Sequence, residues 1–558
     1  MLRKLAVMTS TIAMAVAAGS FEAQAATLHD FDQTTLASYI SLRFSSAVPP
    51  AVIRAVLARE GFSQADLALV TSASAAAAAP GASPAGSGVS SAQQISRDTL
   101  ACPSSDPNCE LDTQVEPDIA VNPTSPGNLV AGFQQGRYAN GGSVDPGWAA
   151  SFDGGKTWPY RGSAPGLTVG VSSASTSGPG APFARASDPA IAFDRKHNTV
   201  YLNTLSVSDA GCAEFCDSAV VVNISKNGGK SFGAPVITHE DVSDPNGTSF
   251  VFNDKEWIVS DNNPGSPHYG RTYIAWDQVR CAEPSCTVLE QPVMVVHSDD
   301  GGKTWSPAVQ ATHDQPAQSH QEVGTQPVVE ANGDVVIAYA DATAGAYTFE
   351  GSYKSIRSTD GGRTWSSPQL IDNGDPFVEE SASLRAPNIP SATVDSDGTI
   401  YVAYQDQRLT SGRNDILLAH STDEGRTWSA AIDATPGEAG LDHFTPDIAA
   451  FGGTVHMTYR TRDPGNLNDS PRVDAVYRAL RNGVTTTGPT QLYASSDASV
   501  AAFTTIAGAG PFRFFGDYAG ISASSRSANP IWEQAQNFSG QGDNPTGTHQ
   551  RSFSAALR

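Results

Sequence analysis

The chain has 558 residues, of which 16% are charged and 8% are aromatic, and it contains 51 glycines and 36 prolines. This composition favours many short strands joined by turns over long helices. The formal net charge of −23 argues against nucleic acid as a partner, because the sequence has no basic stretch to offset repulsion from phosphates.

The N-terminus has the pattern of an export signal. Arg3 and Lys4 precede an apolar run over residues 5–18, and Ala23 and Ala25 frame a small-x-small cleavage site. The pattern predicts a signal peptide at residues 1–25 and a secreted or periplasmic chain. The later sequence has no run of about 20 apolar residues, so we expect no membrane span.

The next two segments differ in composition. Residues 26–71 are amphipathic and favour a short helical segment, either a pro-segment or a cap. Residues 72–93 are rich in Ala, Ser, Gly and Pro, which is typical of a linker. Residues 94–558 then form the main domain.

A short motif, S-x-D-x-G-x-T-W, recurs along that domain. It occupies residues 151–158, 298–305, 358–365 and 421–428, with a degenerate copy at 225–232. Its acidic or amide residue suits a structural role in a tight turn, its glycine supplies a positive φ, and its aromatic residue packs into the sheet. The residues in this structural role are Asp153, Asn227, Asp300, Asp360 and Asp423.

The motif resembles the Asp box, or bacterial neuraminidase repeat, of sialidases and several other propeller families. The resemblance implies an all-β fold, an Asp-box β-propeller. Paired β-patterned runs recur seven times between residues 118 and 532, which predicts seven blades. Six blades, as in sialidases, is the alternative. We expect a strand from the region before residue 118 to complete the last blade.

The six cysteines come in three close pairs. They are Cys102 with Cys109, Cys212 with Cys216, and Cys281 with Cys286. In an oxidising compartment, this spacing predicts three local disulfides.

The candidate site lies on the propeller face opposite the Asp boxes. Successive strands are antiparallel, so first-strand starts and second-strand ends open on that face. First-strand starts bring Glu116, Asp118, Asp188 and Lys255 there. The candidate catalytic residues are Asp254, Glu256, Asp277, Asp517 and Tyr518, and the candidate substrate-binding residues are Arg137, Arg280, Arg408, Arg460 and Arg462.

This combination suits a glycoside hydrolase, because arginines clamp a carboxylate and paired carboxyl groups supply acid and base. Sialidase-like exo-hydrolysis of acidic or decorated glycans is the sharpest form of the hypothesis. The alternatives are a non-catalytic propeller that binds a glycan or a protein, and a polysaccharide lyase with His443 or Tyr518 as base.

No sialidase catalytic residue can be carried over onto this chain. The nearest counterpart of the family's Arg-Ile-Pro motif, at residues 385–390, falls in the fifth predicted blade, and no tyrosine matches the family's nucleophile by motif. We expect a monomer that requires no cofactor. Residues 261–263 and 463–469 are candidate loops for a structural Ca²⁺.

Overall fold

The computed structural model describes most of the chain from residue 92 onward. The described residues are 92–98, 100, 109–138, 141–168, 183–208, 217–241, 249–282, 289–312, 320–343, 351–375, 386–438, 440–462, 473–481, 484–485, 488–494, 503–504, 512–537 and 548–557. The predicted signal peptide, the helical segment and all but the end of the predicted linker lie outside these ranges. The side chains of the six cysteines also lie outside the described residues.

Regular secondary structure in the described residues is entirely β. The first ten strands are β1 (Gln93–Gln94), β2 (Cys109–Val121), β3 (Leu129–Tyr138), β4 (Ser143–Ser151), β5 (Tyr160–Ser163), β6 (Arg185–Asp194), β7 (Thr199–Ser208), β8 (Asp217–Ser225), β9 (Pro235–Asp241) and β10 (Ser249–Ser260). The next eleven are β11 (Thr272–Ala282), β12 (Leu289–Glu290), β13 (Val293–Ser298), β14 (Val309–Gln310), β15 (His320–Val329), β16 (Val335–Thr343), β17 (Gly351–Ser358), β18 (Gln369–Gly374), β19 (Ser391–Val394), β20 (Ile400–Asp406) and β21 (Asp415–Ser421). The remainder are β22 (Ile432–Asp433), β23 (Asp442–Phe451), β24 (Thr454–Arg462), β25 (Val473–Arg481), β26 (Val484–Thr485), β27 (Thr490–Ala494), β28 (Phe503–Thr504), β29 (Phe512–Arg513), β30 (Gly520–Ala523), β31 (Ala528–Asn537) and β32 (Thr548–Ser554).

Strand pairing groups most of the described strands into seven antiparallel units of four, which we number as blades 1 to 7. They are β2–β5, β6–β9, β10 with β11, β13 and β14, β15–β18, β19–β22, β23–β25 with β27, and β30–β32 with β1. The first strands contact one another in the closed order β2, β6, β10, β15, β19, β23, β30 and back to β2. This ring of innermost strands defines a β-propeller.

The last unit is completed by the N-terminal strand. In β1, Gln93 pairs with Ser554 and Gln94 with Phe553 of β32, as the sequence predicts for a strand from before residue 118. Ile95, which follows β1 in the sequence, is fully buried and packs in a core cluster with residues of blades 1 and 7. The ring is therefore held shut by contacts between the two ends of the described chain.

The Asp boxes occupy the turns that follow the third strands. In the first box, Asp153 Oδ1 accepts hydrogen bonds from Ser151 Oγ at 2.9 Å and from the Thr157 amide at 2.9 Å, and Thr157 Oγ1 donates to Asp153 Oδ2 at 2.6 Å. The Asp300, Asp360 and Asp423 boxes repeat these contacts. The Asp-box carboxylates are thus used to hold turns.

The first strands of five blades carry a bulge at the same position. The pairing register shifts between Val115 and Asp118, Ser187 and Ala190, Asp254 and Trp257, Val323 and Gln326, and Phe444 and Asp447. Each bulge contains a residue in the left-handed region: Glu116 (φ 54°), Asp188 (φ 49°), Lys255 (φ 47°), Gly324 (φ 71°) and Thr445 (φ 51°). Bulges redirect side chains and recur beside functional sites.

Two aspartates just beyond these bulges connect neighbouring blades. Asp118 Oδ2 accepts a hydrogen bond from the Ile191 amide of blade 2 at 2.6 Å. Asp447 Oδ2 accepts one from the Ile521 amide of blade 7 at 2.7 Å.

Among the described residues, no helix is long and apolar enough to cross a membrane.

Candidate functional site

Ionisable residues of blades 1, 2, 3 and 7 lie close enough together to interact electrostatically. We call this group the axial cluster, and each member is at most 5% exposed. Its members are Glu116, Asp188, Asp254, Lys255, Glu256, Asp277, Asp517 and Tyr518. It therefore brings together all five candidate catalytic residues predicted from the sequence.

Glu256 and Asp188 are the least satisfied carboxyl groups of the cluster. Neither oxygen of either group accepts a hydrogen bond of standard geometry from the described residues. Burial raises the pKa of Glu256 well above its usual range, and the charge of Asp188 raises it further. Burial and the charge of Asp254 raise the pKa of Asp188 to about 7, while Lys255 opposes the shift. Both carboxyl groups therefore favour the protonated form more than free carboxyl groups do.

Asp277 is more firmly held than Glu256. It pairs in register with Asp254 across β10 and β11. Its Oδ2 accepts from Gln291 Nε2 at 2.7 Å and its Oδ1 accepts from the Gly324 amide at 3.2 Å. Burial, followed by the charge of Asp254, raises the pKa of Asp277 well above its usual range.

Lys255 lies against two aromatic faces. Its Nζ is 4.1 Å from the centroid of the Trp257 ring and 3.7 Å from that of the Tyr518 ring. The Tyr518 hydroxyl donates to the Pro189 carbonyl at 3.2 Å. Burial and the charge of Asp188 raise the pKa of Tyr518 well above its usual range, so the phenol is neutral at physiological pH.

Glu116 joins blade 7 to the first two blades. It accepts a hydrogen bond from Gln134 Nε2 and another from the Asp517 amide at 3.4 Å. Gln134 Nε2 also lies 2.6 Å from the hydroxyl of Ser187, which precedes Asp188. A chain of polar contacts therefore connects Glu116 to the bulge of blade 2.

Two of the five candidate arginines lie next to the axial cluster. Arg137 Nη1 donates to Gln134 Oε1 at 2.7 Å, and so shares the glutamine that contacts Glu116. Arg460 pairs with Glu533 and donates to the Phe515 carbonyl at 3.1 Å, two residues before Asp517.

The other three candidate arginines are committed to ion pairs and polar contacts elsewhere. Arg280 Nη1 donates to Gln310 at 2.8 Å. Arg408 forms 2.7 Å ion pairs with Asp372 and Asp406, and Arg462 pairs with Asp442 at 3.0 Å. The structure thus does not gather these three around the axial cluster, and their role as substrate clamps stays a prediction.

His443 lies in a separate ionic group between blades 5 and 6. Its ring nitrogens are 3.6 Å from Asp415 and 3.4 Å from Glu438. Burial lowers its pKa, but the hydrogen bonds and charges of those two carboxylates outweigh burial and raise the pKa to about 9. A histidine that is protonated at neutral pH cannot accept a proton, which disfavours it as the base of a lyase.

The candidate calcium loops gain no support from the geometry. Asp261 uses its carboxylate within its own loop, accepting from the Asn263 amide at 3.0 Å. Residues 463–469 lie outside the described residues. Across the part of the chain that the structure describes, no group of three or more His, Cys, Asp or Glu side chains could hold a metal ion.

The sequence places Glu116, Asp188 and Lys255 on this face but does not distinguish them from their neighbours. Their distinguishing feature is the left-handed backbone conformation at the bulge, which no local sequence motif predicts. The bulge position can be recognised in the sequence only when the first strands of the blades are aligned with one another, because blade 4 then has a glycine, Gly324, at that position.

Comparisons with known proteins agree with the motif and the fold. A BNR/Asp-box repeat model matches residues 296–307, which contain the third-blade box. Together with the closed ring of blades, this shows that the chain is an Asp-box β-propeller. No curated protein sequence matches the chain.

Solved structures similar to this chain include several carbohydrate-active proteins. They include the Hadza microbial sialidase Hz136 (14% identity, 69% of this chain and 64% of that chain covered, TM-score 0.40). They also include a polysaccharide lyase, PL25 ulvan lyase (12%, 81% and 95%, 0.44), and an alpha-L-arabinanase of Penicillium chrysogenum (15%, 70% and 98%, 0.40). The match thus spans less than two thirds of the sialidase.

Proposed function

We propose that this protein is an exported glycoside hydrolase whose carboxyl groups act at the axial cluster. The observation that carries the proposal is Glu256, a fully buried carboxyl group without a hydrogen bond of standard geometry in the described residues. Burial raises its pKa well above its usual range, which favours the protonated form that a general acid needs. A protonated carboxyl group beside further carboxylates is the arrangement that glycosidases use.

Glu256 donates its proton to the glycosidic oxygen as the bond to the anomeric carbon breaks, and the leaving sugar departs as an alcohol. A second carboxylate, Asp254 or Asp517, either removes a proton from the attacking water or attacks the anomeric carbon itself. In the second route, water later cleaves the glycosyl ester and Glu256 accepts its proton. Asp277 holds its place through Gln291 and the Gly324 amide.

The proposed substrate is an acidic or decorated glycan, and exo-hydrolysis in the manner of sialidases is its sharpest form. Arg137 and Arg460 support this choice, because they are the two candidate guanidinium groups beside the cluster. Guanidinium groups bind carboxylate and sulfate groups in bidentate geometry.

A binding propeller is the second candidate function. It needs a partner only on the surface around the axial cluster, whereas hydrolysis requires a glycan to reach carboxyl groups that are at most 5% exposed. The lyase alternative has less support, since His443 carries a proton and Tyr518 is a neutral phenol at physiological pH.

The test is a panel of sialosides, uronate-containing polysaccharides and neutral glycans, with the purified protein and its Glu256→Gln variant. We expect new reducing ends from at least one substrate and loss of at least 100-fold in kcat for the variant. The matched control is Asp423→Asn in an Asp box of the opposite face, which should retain activity. Ultraviolet absorbance of an unsaturated product would instead indicate a lyase, and binding without any product would indicate a binding propeller.

Export is part of the same proposal. The charged N-terminus, the apolar run over residues 5–18 and the Ala23-Gln24-Ala25 site support it. N-terminal sequencing of the protein recovered outside the cytoplasm should give a start at about residue 26. Recovery of the intact chain from the cytoplasm alone would contradict it.

A further inference from the structure

We propose that Asp188 and Lys255 are two functional charged residues of this site, retained although both side chains lower the stability of the fold. Asp188 contacts the bound glycan, and Lys255 is a positioning residue that controls the charge of Asp188. The glycan contact rests on the proposed function, whereas the stability argument does not.

The first support is the backbone. Asp188 and Lys255 occupy the left-handed position of the bulges in blades 2 and 3, at φ 49° and 47°. Glycine adopts this conformation without strain, whereas L residues with a Cβ atom do not. The equivalent bulge of blade 4 uses Gly324 at φ 71°. The fold therefore accepts glycine at this position, whereas Asp188 and Lys255 occupy it at a cost in backbone strain.

The second support is that these two buried side chains make no hydrogen bonds of standard geometry with the described residues. Asp188 is 0% and Lys255 is 1% exposed. Neither carboxylate oxygen of Asp188 and no proton of Lys255 Nζ makes a hydrogen bond of standard geometry with the described residues. Burying charged groups in this way is costly unless another group supplies the missing contacts. The hydroxyl groups of a bound glycan have the required donors and acceptors.

Carboxylates with a structural role on the same innermost strands look different. Asp118 accepts from the Ile119 amide at 2.7 Å and from the Ile191 amide of the next blade at 2.6 Å. Asp447 accepts from Ser391 Oγ and from the Ile521 amide at 2.7 Å. The aspartates with a structural role thus accept hydrogen bonds, whereas the carboxylate oxygens of Asp188 accept none of standard geometry from the described residues.

The third support is the charge around Asp188. Blade 3 places Asp254, Lys255 and Glu256 near it, and blade 7 places Asp517 and Tyr518 there. Lys255 is the cation among the groups that act on Asp188, and it lowers the pKa that burial and the like charges of Asp254 and Asp517 raise. The two aromatic rings hold the ammonium group in place.

The stability test compares glycine and alanine at each position in the full chain. Asp188→Gly should melt no lower than the wild type and above Asp188→Ala, and Lys255→Gly should melt above Lys255→Ala. Thr445, at φ 51° in blade 6, is the matched control, and Thr445→Gly should likewise melt above Thr445→Ala. Asp118→Ala should melt below the wild type. If Asp188→Gly lost as much stability as Asp118→Ala, Asp188 would be structural and the inference would be overturned.

The functional test uses the glycan that the panel identifies. Asp188→Asn should reduce turnover at least 100-fold, or abolish binding if the protein only binds. Lys255→Met should move the pH-dependent limb of turnover or binding to higher pH, because the pKa of Asp188 rises without its cation, and Lys255→Arg should restore the wild-type limb. An unmoved limb would overturn the role of Lys255. If no glycan is bound or cleaved, the proposed function fails, while the stability test still decides whether the pair is retained against the fold.

Discussion

Closure of the ring by the N-terminal segment can be tested by one core substitution. Ile95 follows β1, is fully buried, and packs in a cluster with Ile119, Leu129 and Trp158. Replacing a buried isoleucine by alanine removes apolar contacts and leaves a cavity, which costs about 2–5 kcal/mol of unfolding free energy. We therefore expect Ile95→Ala to lower the free energy of unfolding by that amount.

The neighbouring Ser96 gives an independent estimate of the same closure. Its Oγ donates to Gln114 Oε1 at 2.7 Å and accepts from the Ser552 amide at 3.0 Å. Ser96→Ala leaves both buried partners unsatisfied, and an unsatisfied buried group costs about 1–3 kcal/mol. This variant should also be clearly destabilised, although it removes little apolar surface.

The assay is urea unfolding of the full chain, followed by tryptophan fluorescence. Ile432→Ala is the matched control, because Ile432 is 37% exposed on an outer strand and such surface changes alter stability by about 0.5 kcal/mol or less. The reasoning is refuted if Ile95→Ala and Ile432→Ala unfold at the same urea concentration. That result would mean that blade 7 is stable without the N-terminal strand.

Three further predictions concern pH, an arginine and an Asp box. The pKa of Asp188 rises from 3.8 to about 7 on folding, so its ionisation destabilises the fold: stability is unaffected below pH 3.8 and falls as the pH rises from 3.8 to about 7. The hydrogen bond from Thr427 lowers the pKa of Asp423 from 3.8 to about 2, so the stability that this carboxylate contributes is lost as the pH falls towards 2. Melting curves should therefore show the highest stability at about pH 4, and a maximum at about pH 8 would contradict this. Arg408→Ala should lower the melting temperature and leave KM unchanged, because Arg408 is paired with Asp372 and Asp406; a large rise in KM would restore it as a substrate clamp. Asp360→Asn, in an Asp box, should lower the melting temperature slightly. A loss of turnover would indicate that the active site lies on the Asp-box face, contrary to the proposed function.

Much of the fold could be read from the sequence, because its signals are local. The four Asp boxes predict turns through contacts between residues two to four apart, such as Ser151 with Asp153 and Asp153 with Thr157. Alternating apolar residues predict the strands. The start of β1 was less clear. Gln93 belongs to β1, although it is the last residue of segment 72–93, whose composition is typical of a linker.

The site was only partly predictable, since it depends on contacts between blades. The alternating direction of successive strands places Asp254, Glu256 and Asp517 on one face, and in the structure all three lie near Asp188. The sequence places Arg408 on the same face. Its ion pair with Asp372 of blade 4 could not be predicted, because the two residues are far apart in sequence. Likewise, the left-handed conformation of Asp188 follows from a bulge in the strand pairing rather than from a local sequence signal.

The most direct test of the central claim is a crystal structure of the Glu256→Gln variant soaked with the glycan that the wild type cleaves. Our account predicts a sugar ring at the axial cluster, with its glycosidic oxygen within hydrogen-bonding distance of residue 256 and a hydroxyl group on Asp188. A glycan bound only on the Asp-box face, with the axial cluster unchanged, would contradict the account.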